Sequence, residues 1–138
     1  MSAAWPLLKP GSQGAPVKAL QRLLAHHGNA VDPDGVFGPE TEEAVKSLQS
    51  GKGLASDGMV GEETWPATVV QVANGSDGEP VTAAQELLAA KASDLAADGI
   101  FGPETEQATR EFQQEVGLAV DGIVGPHTWH GLLVANAG

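Results

Sequence analysis

The residues best suited to chemistry in this sequence are four aspartates that precede a glycine and recur 64 residues apart. The pairs are Asp34-Gly35, Asp57-Gly58, Asp98-Gly99 and Asp121-Gly122. A carboxylate before glycine is typical of calcium-binding loops, where glycine permits the sharp turn that gathers oxygen ligands. It is equally typical of an Asx turn, in which the carboxylate accepts hydrogen bonds from backbone amides just ahead of it. The neighbouring residues distinguish these two interpretations.

Calcium is disfavoured by the residues at the ends of the loops. If Gly35 is placed at the sixth position of an EF-hand loop, the first position is Ala30 and the twelfth is Thr41. In the other matching loop the third position is Ala96 and the twelfth is Thr105. Both loops therefore lack the bidentate glutamate that completes a calcium site. We expect no bound metal and no cofactor.

Zinc and catalytic chemistry find equally little support. His127 and His130 are three residues apart and His26-His27 are adjacent, but there is no His-Glu-x-x-His motif and no cysteine. No Gly-x-Ser-x-Gly motif is present, and Ser12 has no histidine near it in sequence. We therefore predict no catalytic residues and expect that the chain is not an enzyme.

The charge balance excludes one class of partner. The chain has 18 acidic and 7 basic residues, a formal net charge of −11. Nucleic-acid binding depends on basic side chains that displace counterions from phosphates, so neither nucleic acid nor an anionic membrane is an expected partner. No apolar run approaches the ~20 residues needed to cross a bilayer, and the first residues show no basic and apolar signal-peptide pattern.

The chain is an internal tandem repeat. Shifted by 64 positions, residues 11–69 fall on 75–133 without a gap, and about half of the positions are identical. No Gly/Ser-rich linker separates the copies. We predict a first module at 5–70 and a second at 71–138.

Each module is predicted to contain three helices with glycine-rich turns between them, which makes the fold all-α. Gly-x-x-Gly occurs three times per copy, and a stripe of apolar residues at helical spacing follows. In "DGVFGPET" (34–41), Gly35 suits a positive φ, Phe37 is expected to lie between helices, and Gly38 and Pro39 suit the N-cap and first position of a helix. Its counterpart "DGIFGPET" (98–105) contains Gly102 at the equivalent N-cap.

These motifs carry a resemblance. "GSxGxxVxxLQ", "DGxFGPxT" and "Q…GL…DGxVGxxTW" fall in order, twice, over about 7–135, and resemble the peptidoglycan-binding-domain-1 family. The resemblance implies a three-helix module that binds peptidoglycan without catalysis and tethers a hydrolase to the cell wall, so it implies a wall or extracellular location. The alternative is a structural or protein-interaction module of a larger bacterial or phage-like assembly. The copies differ where Pro66 of the first faces His130 of the second, and Pro66 should shorten the last helix of the first copy.

The candidate ligand-binding residues follow from this resemblance. Backbone amides of the glycine turns suit a carboxylate of the stem peptide, the aspartates suit an ammonium group, and a tryptophan suits the apolar face of a sugar. The competing interpretation is that each aspartate holds its own turn, that the tryptophans fill the core and that Gln49 and Gln113 bind loop backbone. The candidates are Asp34, Gly35, Gly38, Asp57, Gly58, Trp65, Asp98, Gly99, Gly102, Asp121, Gly122 and Trp129.

Overall fold

The computed structural model describes residues 4–91 and 94–137, and within them the chain is helical. The described residues form six α-helices: α1 Ala15–His26, α2 Pro39–Gly51, α3 Thr64–Thr68, α4 Glu79–Ala89, α5 Pro103–Glu115 and α6 Pro126–Ala135. Extended pairing over the same residues is limited to four isolated antiparallel bridges, such as Leu8 with Val60 and its counterpart Val72 with Val124. The prediction of an all-α fold with three helices per copy is confirmed.

Glycine followed by proline starts α2 and α5, as the octapeptides predict. Gly38 is the N-cap of α2 in an extended conformation, and Pro39 is its first residue. Gly102 and Pro103 have the same roles in α5. Proline suits this position because its fixed φ is already helical and its missing N–H would have no partner in the first turn.

The last helix differs between the copies. In the first copy α3 has only 5 residues, whereas in the second α6 has 10. Pro66 is the third residue of α3, so its missing N–H lies in the first turn, and the helix ends where Val69 becomes extended, with φ −68° and ψ 149°. The predicted shortening is confirmed.

Large aromatic side chains fill the core. Phe37 and Phe101 are each 1% exposed, and Trp65 and Trp129 are fully buried. The predicted burial of the two phenylalanines is confirmed. Each tryptophan ring also fixes the segment that leads into its copy. Trp65 Nε1 donates to the Pro6 carbonyl and Trp129 Nε1 to the Val70 carbonyl, both at 2.7 Å.

The two copies share one core. Buried apolar residues of both repeats form a single cluster, and α1 packs more extensively on α4 than on α2 or α3. The helices that contact each other most are therefore the first helices of the two repeats. The proposed modules 5–70 and 71–138 therefore describe the sequence repeat and do not correspond to two separate cores.

Candidate ligand-binding clefts

A buried glutamine supports the first Asp-Gly turn from below. Gln21 of α1 is 1% exposed, and its Nε2 lies 3.0 Å from Asp34 Oδ1, 3.0 Å from the Val36 carbonyl and 3.1 Å from Thr41 Oγ1. Its Oε1 accepts the backbone N–H of Gly35 at 2.9 Å. Because an amide nitrogen has two hydrogens, one of them is shared between acceptors. This one side chain thus joins α1, the turn and the first turn of α2.

The same arrangement recurs in all four loops. Gln49 Nε2 lies 2.9 Å from Asp57 Oδ1, and the corresponding distances are 3.1 Å for Gln85 and Asp98 and 2.8 Å for Gln113 and Asp121. In each case the glutamine Oε1 accepts the N–H of the glycine that follows the aspartate. The interpretation that Gln49 and Gln113 bind loop backbone is confirmed.

Sequence reasoning missed the equivalent role of Gln21 and Gln85. These glutamines precede their aspartates by 13 residues, whereas Gln49 and Gln113 precede theirs by 8. The recurrence of Gln21 as Gln85 in the repeat was a usable signal. What the sequence could not give was the packing that brings α1 under a loop so far along the chain.

Each aspartate holds its own turn through one carboxylate oxygen. The backbone N–H of Val36 donates to Asp34 Oδ1 at 3.0 Å, and Ile100 donates to Asp98 in the same way. This backbone hydrogen bond first, and the glutamine hydrogen bond second, lower the pKa of Asp34 and the pKa of Asp98 below the usual aspartate range. The pKa values of Asp57 and Asp121 are lowered by the same causes. All four residues are exposed, so each loop presents an ionised carboxylate to solvent.

A cleft of about 610 Å³ lies beside the first turn. Its lining includes Asp34, Val36, Gly38 and Glu40, so a carboxylate, an aliphatic side chain and the start of α2 border the same space. Val36 is 47% exposed. Such an aliphatic surface beside a carboxylate suits a ligand that has an ammonium group on an apolar stem.

The second copy has an equivalent cleft and a further one beside α6. A cleft of about 430 Å³ is lined by Asp98, Ile100 and Gly102, and Ile100 is 63% exposed. The other, of about 460 Å³, is lined by residues that include Asp121 and Ile123, next to the start of α6. The clefts thus repeat one combination: ionised aspartate, aliphatic residue two positions later, and helix N-terminus.

The glycines of the candidate set lie at different depths. Gly35 and Gly99 have φ of 77°, which L-residues rarely adopt, so both positions need glycine for the turn itself. Gly58 and Gly122 are buried, and a Cβ added at Gly58 would lie 3.0 Å from Glu42 Cγ. These two glycines therefore support the turn and offer no surface to a ligand.

The structure places the tryptophans away from the clefts. Trp65 and Trp129 have no exposed surface, and neither borders the clefts described above. Trp5 is half-buried and stacks on Trp65 with ring centroids 6.1 Å apart. It also meets the edge of the His130 ring at 4.9 Å, so the start of the first copy contacts the end of the second.

The histidines do not converge on one point. His127 borders the cleft beside α6, His130 contacts Trp5, and His26 and His27 pack against each other. Over residues 4–91 and 94–137, no group of three or more His, Asp or Glu side chains is arranged to hold a metal ion. Nor does any helix in that part of the chain have the length and apolar character needed to span a membrane.

Comparison with known families assigns the repeat. The family model described as "Putative peptidoglycan binding domain" matches twice, at residues 13–67 and 77–132. These matches cover most of the chain and coincide with the two copies. The chain therefore belongs to this family of small helical binding modules, as two tandem copies.

Individual relatives contain more than this chain. It is 34% identical over a 148-residue alignment to the N-acetylmuramoyl-L-alanine amidase CwlL of Bacillus licheniformis, covering 82% of this chain and 41% of the amidase. It is 43% identical over 61 residues to the zinc D-Ala-D-Ala carboxypeptidase of Streptomyces albus G, covering 42% of this chain and 24% of that enzyme. The chain thus spans less than half the length of either enzyme.

A solved domain matches part of this chain. The crystal structure of the SleB N-terminal domain is 35% identical, with a TM-score of 0.47, and the match covers 49% of this chain and 93% of that domain.

Proposed function

We propose that this chain binds bacterial peptidoglycan as a non-catalytic module, and that the clefts at Asp34 and Asp98 make the main contacts. The observation that carries the proposal is that both copies of a peptidoglycan-binding family domain keep the same open cleft beside the same ionised aspartate.

The part of peptidoglycan best suited to these clefts is the stem peptide. Sugar recognition commonly uses exposed aromatic rings, and neither Trp nor Phe is among the described residues that line the clefts. A stem peptide supplies what the clefts complement: aliphatic stems, carboxylates and, in many walls, the ammonium of a diamino acid. The exposed aliphatic residues Val36 and Ile100 then contact the stem.

The two ends of the cleft have separate roles in this proposal. The outer carboxylate oxygen of Asp34 or Asp98 pairs with an ammonium group, because Oδ1 is already used by the turn. The first-turn amides of α2 and α5, which lie behind Gly38 and Gly102, have no helical acceptor and suit a carboxylate. Gly38 and Gly102 add no side chain here, but Glu40 Oε1 and Glu104 Oε1 lie 3.8 Å from where a Cβ would stand, so these two side chains must turn aside for a ligand carboxylate.

The proposal extends to the setting of the chain. Binding without hydrolysis fits a module that keeps a cell-wall hydrolase, or another protein, close to its substrate. We place it at the cell wall or outside the cell for the same reason. A dye-labelled peptidoglycan suspension incubated with the chain alone should release no soluble dye.

The test is a pulldown of the chain with purified insoluble sacculi. The variant Asp34→Asn/Asp98→Asn should lose most of its retention, since asparagine keeps the Oδ1 acceptor of the turn but removes the charge. The matched control is Glu43→Gln/Glu115→Gln, which removes two charges from exposed helix positions outside the clefts and should be retained like the unchanged chain. A soluble stem peptide should compete for binding, and oligomers of N-acetylglucosamine should not.

The other outcomes have definite meanings. Competition by the sugar oligomers with no effect of the peptide would overturn the stem-peptide assignment but keep wall binding. If the intact chain is not retained by sacculi from several bacteria, wall binding itself is wrong and a protein-interaction role becomes the better explanation.

A further inference from the structure

The contact between the two copies has the form of a dimer interface within one chain. Helices α1 and α4 occupy equivalent places in the repeat, and they pack on each other more extensively than any other pair of described helices. When the same element of two equivalent units meets itself, the units are related by an approximate two-fold axis. Residues near that axis contact their own counterparts.

Arg22 and Glu86 are such counterparts. They are separated by 64 residues, the period of the repeat, and so occupy the same position in the two copies. Arg22 Nε lies 2.7 Å from Glu86 Oε1, and Nη2 lies 3.1 Å from Oε2, which is a bidentate ion pair. The position closest to the axis therefore carries opposite charges in the two copies.

Neighbouring residues extend this charge difference. Lys18 Nζ of α1 lies 3.2 Å from Glu86 Oε2, and Arg22 Nη1 lies 3.0 Å from Glu79 Oε1 of α4. The counterpart of Lys18 is Thr82 and the counterpart of Glu79 is Ala15, both uncharged. The contact face of α1 is thus basic and that of α4 is acidic.

The central pair is partly shielded from solvent. The side chains of Arg22 and Glu86 are 18% and 25% exposed. Burial on its own would raise the pKa of Glu86, but hydrogen bonds from Arg22 and then Lys18 outweigh it, and the pKa of Glu86 is lowered. A charge placed here without its partner would have to be desolvated without compensation.

We propose that this divergence determines which helices pair: α1 is selected to pack on α4, and pairing of α1 with α1 or α4 with α4 between two molecules is disfavoured. An interface of identical helices would place Arg22 against a second Arg22, or Glu86 against a second Glu86. Like charges at a partly buried contact oppose association. The buried apolar residues of the two helices are the same except that Leu20 has Ala84 as its counterpart, so the charges are the larger difference between the two faces.

The experiment reverses the charges of one helix at a time, in the full chain. Lys18→Glu/Arg22→Glu makes both faces acidic, and Glu79→Lys/Glu86→Arg makes both faces basic. Combining all four substitutions restores opposite charges with the same net charge as the unchanged chain. Lys9→Glu/Lys52→Glu is the control for the acidic half-reversal, because it makes the same change in net charge at two exposed positions away from this contact.

Each half-reversal should lower the midpoint of thermal unfolding by at least about 5 °C, and the fourfold variant should recover most of that loss. The difference in midpoint between the half-reversed and the unchanged chains should become smaller at about 1 M salt, where the Debye length is only about 3 Å. Neither half-reversed chain should self-associate through this contact, because both of its faces carry the same charge. An equimolar mixture of the two half-reversed chains offers opposite charges and should form larger species in size-exclusion chromatography with light scattering, whereas the fourfold variant should elute like the unchanged chain.

Two results would overturn the proposal. Half-reversed chains that match the Lys9→Glu/Lys52→Glu control in midpoint, and that do not associate when mixed with each other, would show that the charges do not select the pairing. A fourfold variant that is no better than either half-reversal would show that the positions matter for packing and not for charge complementarity.

Discussion

Gln49 lies directly beneath Asp57, with its amide nitrogen 2.9 Å from the inner carboxylate oxygen. The same relationship between a helical glutamine and a loop aspartate occurs in all four loops of the chain. The inner oxygen is thereby committed to the turn and the outer oxygen is left for solvent or a ligand. Because each loop rests on its own glutamine in the same way, the four turns are similar although they lie in different parts of the fold.

Replacement of Gln21 by glutamate tests the support. The amide nitrogen would become an oxygen that faces Asp34 Oδ1 and the Val36 carbonyl, both of which are acceptors. We expect a loss of about 2–4 kcal/mol in the free energy of unfolding, measured by urea denaturation. Gln114→Glu, at an exposed position of α5, is the control and should change it by less than about 0.5 kcal/mol. Equal effects of the two substitutions would show that the hydrogen bonds under the turn are dispensable.

The two phenylalanines of the octapeptides should be equally important for stability. Phe37→Ala and Phe101→Ala each remove a ring that is 1% exposed, and each should cost about 3–5 kcal/mol. Val36→Ala and Ile100→Ala remove neighbouring side chains that are largely exposed and should cost well under 1 kcal/mol. Chemical denaturation of the four variants measures these free energies of unfolding. A loss well under 1 kcal/mol for either phenylalanine variant would contradict the burial of that ring in the core.

Stability should decline in acid because of the loop aspartates. Their pKa values are lowered in the folded state by the backbone and glutamine hydrogen bonds, so their contribution is present above the unfolded pKa and is lost as the pH falls through the folded pKa. The loss of stability should therefore occur at pH values below about 4. As the pH is lowered from neutral into this range, the midpoint of thermal unfolding should fall less steeply for Asp34→Asn/Asp98→Asn than for the unchanged chain. Parallel curves would mean that these carboxylates do not link folding to protons.

Binding to sacculi should not depend on metal and should tolerate salt. The clefts contain no described group of metal ligands, so a chelator should leave retention unchanged. The net charge of −11 repels an anionic wall at long range, and added salt screens this repulsion more than it screens a contact inside a cleft. Retention should therefore stay constant or increase as salt is raised. Retention abolished by chelator would require a metal site that the arrangement of side chains does not provide.

The sequence by itself determined the local structure of this protein. Glycine before proline set the starts of α2 and α5, the spacing of apolar residues predicted three helices per copy, and Pro66 marked α3 as the shorter last helix. Each of these results depends on φ preferences, missing donors or helical periodicity, which act over a few residues and can be recognised in any chain that contains the pattern.

Only the tertiary structure decided how these parts contact one another. It placed Gln21 under a turn 13 residues away, enclosed both Trp65 and Trp129, and brought Arg22 onto its own counterpart Glu86. Residues 64 positions apart meet because two apolar helix faces fit together, and that fit depends on the shape and charge of whole surfaces. Helical periodicity shows that a face is apolar, but it does not specify which other face will cover it.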